Sequence, residues 1–154
     1  MTMDSAAADP AGLAREMVGS NAFLTLATVG ADGAPWATPV WFAAAGLSEF
    51  FWASKPGARH SRNIAGEPRA SLVVFDSSRE PGQGSAFYAA ARADQVGEEG
   101  FDHAFAVYNG RSIEQGLRAW DPAKLRDGAR HRLYRAVVLE AFVLDDHDER
   151  IPLA

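Results

Sequence analysis

The chain passes from an apolar run into a cationic one within residues 49–64, Glu49-Phe50-Phe51-Trp52-Ala53-Ser54-Lys55-Pro56-Gly57-Ala58-Arg59-His60-Ser61-Arg62-Asn63-Ile64. The apolar half predicts a strand, Pro56-Gly57 predicts a turn, and the basic half predicts a short helix that Glu67-Pro68 ends. A second apolar strand, Ala70–Phe75, follows. Between Ser54 and Arg69 there are four cations and one anion, although the net charge of the whole chain is −5.

A strand that leads into a basic helix can hold a phosphate. The first backbone N–H groups of a helix have no partner within it, and the helix dipole favours an anion there. Arg59, Arg62 and Asn63 lie three and four positions apart, so we expect them to share one face. Arginine suits a phosphate because its planar fork can bind two oxygens at once. A solvated basic surface helix is the simpler interpretation, and the pattern alone leaves it open.

Short antiparallel strands are predicted before this stretch. Phe23–Val29 alternates apolar and small polar residues, as half-buried strands do, and Asp32-Gly33 is typical of a tight hairpin turn. The return strand is expected over Trp36–Phe42. Pro39 has no N–H to donate to a ladder, so we expect that strand to lie at an edge or to carry a bulge.

The second half of the chain mixes a long strand with helices. Ala86–Ala93 is rich in alanine, but we predict a strand there because Gly84 and Gly97 bound it and strands surround it. The other expected elements are helices over Ala11–Val18, Glu98–Tyr108 and Ser112–Trp120, the last two separated by Asn109-Gly110, and a closing strand over Leu133–Leu144. This order favours a mainly β protein, a small antiparallel barrel with flanking helices, over a parallel sheet.

Length and composition limit the classes of protein to which the chain can belong. A chain of 154 residues fits one domain, which we place at residues 11–154 after a frayed tail at residues 1–10. A pI near 5.3 argues against broad nucleic-acid binding. No apolar run approaches the ~18–20 residues that span a bilayer, and no signal sequence is evident, so we expect a cytoplasmic protein without a membrane anchor. There is no cysteine, so any chemistry must use oxygen and nitrogen groups or a cofactor.

Taken together, the layout resembles the pyridoxamine 5′-phosphate oxidase-like family of flavin-binding split barrels. The resemblance runs from Phe23 to about Ala93, with a weaker echo in His131–Ala136. The matching pieces, in order, are Leu26-Ala27-Thr28, Asp32-Gly33-x-Pro35, Pro39-Val40-Trp41-Phe42, Trp52-Ala53-Ser54, Arg59-His60-Ser61-Arg62-Asn63-Ile64 and Glu67-Pro68-Arg69. Such proteins are antiparallel split β-barrels, so the resemblance implies that fold here.

The resemblance also implies a homodimer that binds FMN between its subunits and acts as an oxidoreductase on a small molecule. One strand would lie along the flavin ring, the end of the next would meet the ribityl chain and phosphate, and the basic helix would hold the phosphate. The cofactor-binding residues would then be Thr38, Val40, Trp41, Trp52, Ala53, Ser54, Arg59, His60, Arg62 and Asn63. Arg59 would be the main phosphate ligand. No side chain stands out as a general acid or base, and no metal site is expected.

Several alternatives stay open. Many family members carry lysine where this chain has His60, which is only partly charged near neutral pH and could instead face the core beside Ile64. Some members use a deazaflavin coenzyme in place of FMN. Others handle heme, so a flavin- or heme-binding storage or sensor protein without turnover is a further possibility. The substrate and the electron donor do not follow from the sequence.

Two other charged segments need an explanation. Residues 111–135 contain seven cations and three anions. This basic set could complete a site in a partner subunit, bind an anionic substrate, or merely offset acidic surface elsewhere. The run Asp145–Glu149 has metal-ligand residue types, but we interpret it as a solvated tail.

Overall fold

The computed structural model of the chain describes residues 9–154. The predicted tail therefore lies largely outside the described residues, and its last residue, Pro10, begins the first helix. The helices are α1 (Pro10–Ser20), α2 (Arg59–Gly66) and α3 (Glu98–Glu114), with a 3₁₀ turn at Pro122–Lys124. The strands are β1 (Phe23–Val29), β2 (Pro35–Trp41), β3 (Ala43–Ala45), β4 (Glu49–Ser54), β5 (Arg69–Phe75), β6 (Ala86–Gln95), β7 (Arg132–Leu144) and β8 (Arg150–Pro152).

All strand pairs are antiparallel, and the strand order is β2-β1-β5-β6-β7-β4-β3, with β8 paired to β7. The two outermost strands, β2 and β3, are consecutive in the chain and separated only by Phe42. A sheet whose opposite edges are joined by one residue has to curl until those edges meet. Within residues 9–154 no ladder joins β2 to β3, so the barrel stays open at this seam. The predicted antiparallel split β-barrel with flanking helices is confirmed.

The inner face of the curled sheet carries the main core. Leu24 and Leu26 of β1 are buried there, and the ring of Phe50 in β4 stacks on Phe87 of β6 at 5.6 Å between centroids. Ala14 and Val18 of α1 close this core from one side. Period-2 burial in β1 therefore matches the alternation in its sequence.

α3 packs on the opposite face of β4 and forms a second, smaller core. Phe51, which follows Phe50 and points the other way, is fully buried against this helix. Phe101 and Tyr108 of α3 are buried in the same cluster, together with Leu125 from the segment that follows. Burial raises the pKa of Tyr108 to about 12, because the phenolate would lose its water.

The prediction of two helices after residue 97 is wrong. α3 continues through Asn109-Gly110, and the side-chain Oδ1 of Asn109 accepts the backbone N–H of Trp120 at 2.7 Å instead of capping the helix. The actual stop is Gly116, whose φ of 75° suits glycine, while the N–H of Leu117 returns to the carbonyl of Ser112 at 2.9 Å. The residues after Gly116 therefore form a loop.

The other elements follow the predictions with small differences. The long strand over the alanine-rich segment is confirmed as β6, but the three-residue strands β3 and β8 were not predicted. Asp145–Glu149 is the turn between β7 and β8, where the carboxylate of Asp145 accepts the backbone N–H groups of His147 and Glu149. Among the described residues, no helix has the length and apolar character that crossing a membrane requires.

Candidate functional site at the junction of β4 and α2

The predicted strand, turn and helix are all present at this junction. β4 ends at Ser54, the turn is closed by a hydrogen bond from the N–H of Ala58 to the carbonyl of Lys55 at 3.0 Å, and α2 begins at Arg59. Ala58 stands at the N-cap and offers no side-chain acceptor. The first backbone N–H groups of α2 are therefore not capped by a side chain, which leaves donors for an external oxygen.

Ser54 and His60 meet across the turn. Oγ of Ser54 lies 2.7 Å from Nε2 of His60, and Ser54 is 7% exposed. Partial burial lowers the pKa of His60, because the protonated ring would lose solvation. The ring of His60 therefore contacts the end of β4 in an environment that favours its neutral form.

Arg59 connects α2 to the edge strand β2. Its guanidinium carbon lies 4.1 Å from the centroid of the Trp36 ring, a cation–π contact that orients the side chain along the protein surface. Among the described residues, no carboxylate lies within 4.0 Å of the Arg59 guanidinium. Its charge is therefore available to an anion.

Arg62 and Asn63 make contacts that hold α2 in place. Nη1 of Arg62 donates to the carbonyl of Gly57 at 2.8 Å and so braces the turn. Nδ2 of Asn63 donates to Oγ1 of Thr28 at 3.0 Å, which ties the helix to β1. The three residues predicted to share a phosphate-binding face thus have different partners, and Arg59 has the most freedom to bind a ligand.

The residues expected from β2 divide between edge and core. Among the described strands, β2 pairs only with β1, so the edge position predicted from Pro39 is confirmed, and Thr38 is half-buried on this strand. Val40 is buried. Trp41 donates from Nε1 to Oε1 of Gln115 at 2.9 Å, and its ring meets Tyr108 edge-on at 5.0 Å. The Trp41 side chain therefore belongs to the α3 cluster, and β2 offers a ligand mainly its backbone.

The end of β4 contributes one polar side chain. The ring of Trp52 is fully buried and stacks on Tyr134 with an interplanar angle of 13°, so this side chain belongs to the core. Ala53 is half-buried, and the hydroxyl of Ser54 is the polar side-chain group at the very end of this strand, since the indole Nε1 of Trp52 is buried in the core. Thr28 was not predicted as part of the site. The feature of the sequence that could indicate it is a hydroxyl at an inward-facing position of the predicted strand β1, and in the structure Thr28 is 2% exposed.

Comparison with known proteins places this geometry in a family. The family model described as pyridoxamine 5′-phosphate oxidase matches residues 12–142. A search of curated proteins finds no match.

Solved structures share the fold at low sequence identity. A heme-binding protein from Mycobacterium smegmatis superimposes with a TM-score of 0.75 at 19% identity, over 96% of this chain and 59% of that protein, so the chain spans about three fifths of that relative. HutZ, a heme storage protein from Vibrio cholerae, gives 0.66 at 23% identity over 84% and 90% of the two chains. A Clostridium acetobutylicum protein related to general stress protein 26 gives 0.66 at 14% identity over 93% and 92%. The protein described here belongs to the pyridoxamine 5′-phosphate oxidase family.

Proposed function

We propose that this protein is an FMN-dependent oxidoreductase that binds the phosphate of its cofactor at the junction of β4 and α2. The observation that carries the proposal is the convergence of three kinds of donor there. Three groups lie at the two ends of a single tight turn: the uncapped N-terminus of α2, the hydroxyl of Ser54, and the guanidinium of Arg59, which pairs with no carboxylate within residues 9–154. An FMN phosphate is a dianion that such a set of donors would bind.

The residues present fit FMN in two respects. The cationic helix lies beside an edge strand whose outer backbone groups pair with no other strand of the described chain, so a planar ring next to the phosphate would find hydrogen-bonding groups. Because burial lowers the pKa of His60, its neutral form is favoured, and a neutral ring has a single N–H to donate. Arg59 is therefore the main source of positive charge. FMN supplies hydride chemistry when bound, and this chain supplies binding and orientation.

The outer face of the sheet supports the homodimer. Pro39, Thr25, Val73, Tyr88 and Phe142 lie side by side across five strands, in register. The neighbouring row across the same strands is Ala37, Ala27, Ser71, Ala90 and Glu140. These rows are apolar or small apart from one carboxylate, and exposed rings flank them, with Phe23 57% and Phe75 49% exposed. A broad apolar face of this kind fits a second copy of the chain.

The dimer is tested by placing a charge in the centre of that face. Val73→Glu should convert a dimer into a monomer, measured by sedimentation or light scattering. If the cofactor lies between the subunits, loss of the dimer should also lower the affinity for FMN. Ile113→Glu is the matched control, since Ile113 is 55% exposed on α3 and lies away from the face. A wild-type protein that is monomeric at high concentration would contradict this part of the proposal.

FMN binding is tested by absorbance of the purified protein and by titration. Arg59→Ala should weaken FMN binding by about 10- to 100-fold, the range expected for one hydrogen-bonded charge. Arg79→Ala, in the exposed loop between β5 and β6, is the control for loss of a cation. An FMN Kd unchanged by Arg59→Ala would exclude Arg59 as the phosphate ligand. Oxidation of NADH or NADPH above the rate with free flavin would support an enzyme.

A second candidate is a heme-binding storage or sensor protein without turnover. Two structural neighbours, from Mycobacterium smegmatis and Vibrio cholerae, bind or store heme, and this motivates the alternative. The same absorbance spectrum separates the two. Flavin bands with FMN confirmed by mass support the oxidoreductase, and an intense Soret band after heme addition with no FMN uptake supports the heme protein. Uptake of a deazaflavin alone would keep the enzyme class and change the coenzyme.

A further inference from the structure

The structure sorts the basic set of residues 111–135 into two groups. Four of its arginines are engaged in contacts that hold elements together. Arg111 donates to the carbonyl of Gly19 at 2.8 Å, and Arg126 lies 3.1 Å from Glu98 and over the ring of Phe101. The other two pairs are Arg132 with Asp127 at 3.3 Å and Arg135 with Glu49 at 3.7 Å.

The other three cations, Arg118, Lys124 and Arg130, line one groove of about 750 Å³. Within residues 9–154 no carboxylate lies within 4.0 Å of their charged atoms. Two carboxylates also line the groove, but Asp127 is paired with Arg132, and Asp121 caps the 3₁₀ turn through the N–H of Ala123 at 3.0 Å. The groove therefore carries an excess of positive charge.

The loop that forms the groove is held at several points. Oγ of Ser112 donates to the carbonyl of Arg118 at 2.8 Å, and the N–H of Trp120 donates to Asn109. Leu125 is 1% exposed and anchors the middle of the loop in the α3 core. Because these anchors pre-organise the loop, little conformational entropy would be lost when a ligand binds.

An aromatic ring forms one side of the groove. Trp120 lines it and is supported from behind by the ring of Tyr108, 5.6 Å away between centroids. With Asp127 offset by Arg132, three cations and one anion, Asp121, line the groove, and this positive excess favours phosphate over carboxylate. Two linked phosphates can reach more of the three cations than one phosphate can, and an indole ring provides a stacking surface for a base. We propose that this groove binds a nucleoside diphosphate, with the phosphates on Arg118, Lys124 and Arg130 and the base against Trp120.

The groove lies close to the β4–α2 junction. Ser54 at the end of β4 pairs with Arg132 at the start of β7, and His131, which precedes Arg132, lines the groove. Burial lowers the pKa of His131, and the charges of Arg130 and of Lys55 in the turn add to this effect. Nicotinamide dinucleotides contain the same diphosphate, so the groove would offer a place for an electron donor beside the cofactor. This last step rests on the proposed function, whereas the diphosphate site itself does not.

Calorimetric titration with ADP tests the site. To remove competition from the flavin site, the titration uses the full-length Arg59→Ala protein as background. ADP should bind, adenosine should not, and pyrophosphate should bind more weakly than ADP. Adding Lys124→Gln or Arg130→Gln should weaken ADP binding by about tenfold each, the loss expected for one charge-assisted contact, and adding Arg79→Gln should leave it unchanged.

The opposite results would overturn the proposal. They are no ADP binding, equal binding of adenosine and ADP, or ADP binding that is indifferent to Lys124→Gln and Arg130→Gln. Pyrophosphate binding as tight as that of ADP would exclude the base from Trp120 and with it the nucleoside part of the ligand. FMN titration of the wild-type chain is independent of these outcomes, so failure of one proposal is distinguishable from failure of the other.

Discussion

α2 and α3 flank the same sheet but are held to it by different forces. α3 has 17 residues and buries aromatic side chains in a core of its own, whereas α2 has 8 residues and is anchored by polar contacts as well as by Ile64. Asn63 ties α2 to Thr28, and His60 ties it to Ser54. The comparison teaches that apolar packing fixes α3, whereas polar contacts fix α2 and leave the Arg59 side chain exposed.

Removing an aromatic ring from α3 should give the largest effect. Tyr108→Ala empties the space between Trp41 and Trp120 and should lower the free energy of unfolding by about 3–5 kcal/mol. Urea denaturation measures this. Ile113→Ala on the same helix, at a 55% exposed position, should change stability by about 0.5 kcal/mol or less. Equal losses in the two variants would contradict the packing described for α3.

Breaking the polar anchor of α2 should cost less. Asn63→Ala leaves the buried hydroxyl of Thr28 without its donor and should lower the free energy of unfolding by about 1–3 kcal/mol. Thr28→Val combined with Asn63→Ala should cost less than the two separate losses added together, because no polar atom is then left unpaired. Strict additivity in this double-mutant cycle would mean that the hydrogen bond contributes nothing.

Acid should weaken the α2 side through His60. Its pKa in the folded protein lies below the ordinary 6.5, so the unfolded chain takes up a proton first as the pH falls. The stability that His60 contributes is complete above pH 6.5 and is lost below it, toward the folded pKa. His60→Gln keeps a partner for Ser54 and should flatten the dependence of the urea midpoint on pH between 7.5 and 5. His147→Gln, in the exposed β7–β8 turn, should leave that dependence unchanged.

Arg59 should contribute little to stability. Its side chain is exposed and lies over the face of Trp36, so Arg59→Ala should change the free energy of unfolding by about 0.5–1 kcal/mol at most. The same variant should lose most of its FMN affinity. A large loss of stability without any ligand would show that Arg59 is structural and would remove the contrast between the two helices.

Much of this architecture could be predicted from the sequence because its strands are marked by local patterns. β1 is marked by alternation of apolar and small polar residues. In β6, the bounding glycines indicate a strand in spite of the helix propensity of its alanines. Asn109-Gly110 resembles a helix end in the sequence but does not stop α3. The side chain of Asn109 bonds instead to Trp120, eleven residues away, and no local pattern indicates this contact. β3 and β8 have three residues each, which is too short for an alternation of apolar and polar residues to be recognised.

The junction proposed as the site follows from local features of the sequence, whereas the partners of its side chains do not. The turn and the basic helix are local features, so Ser54, Arg59 and His60 could be placed at one junction. The partners of Arg62 and Asn63 depend on how α2 docks against β1, and the burial of Trp52 depends on its stacking with Tyr134, which is 82 residues further along the chain. Such tertiary contacts could not be read from spacing.

Pro39 has one more consequence. An open sheet presents backbone donors and acceptors at its edges, and a flat edge strand can recruit further chains into an aggregate. β2 is such an edge, and proline at two of its seven positions, Pro35 and Pro39, leaves it with fewer N–H groups to offer. The barrel can thus stay open at the seam between β2 and β3 without β2 becoming a template for fibre growth.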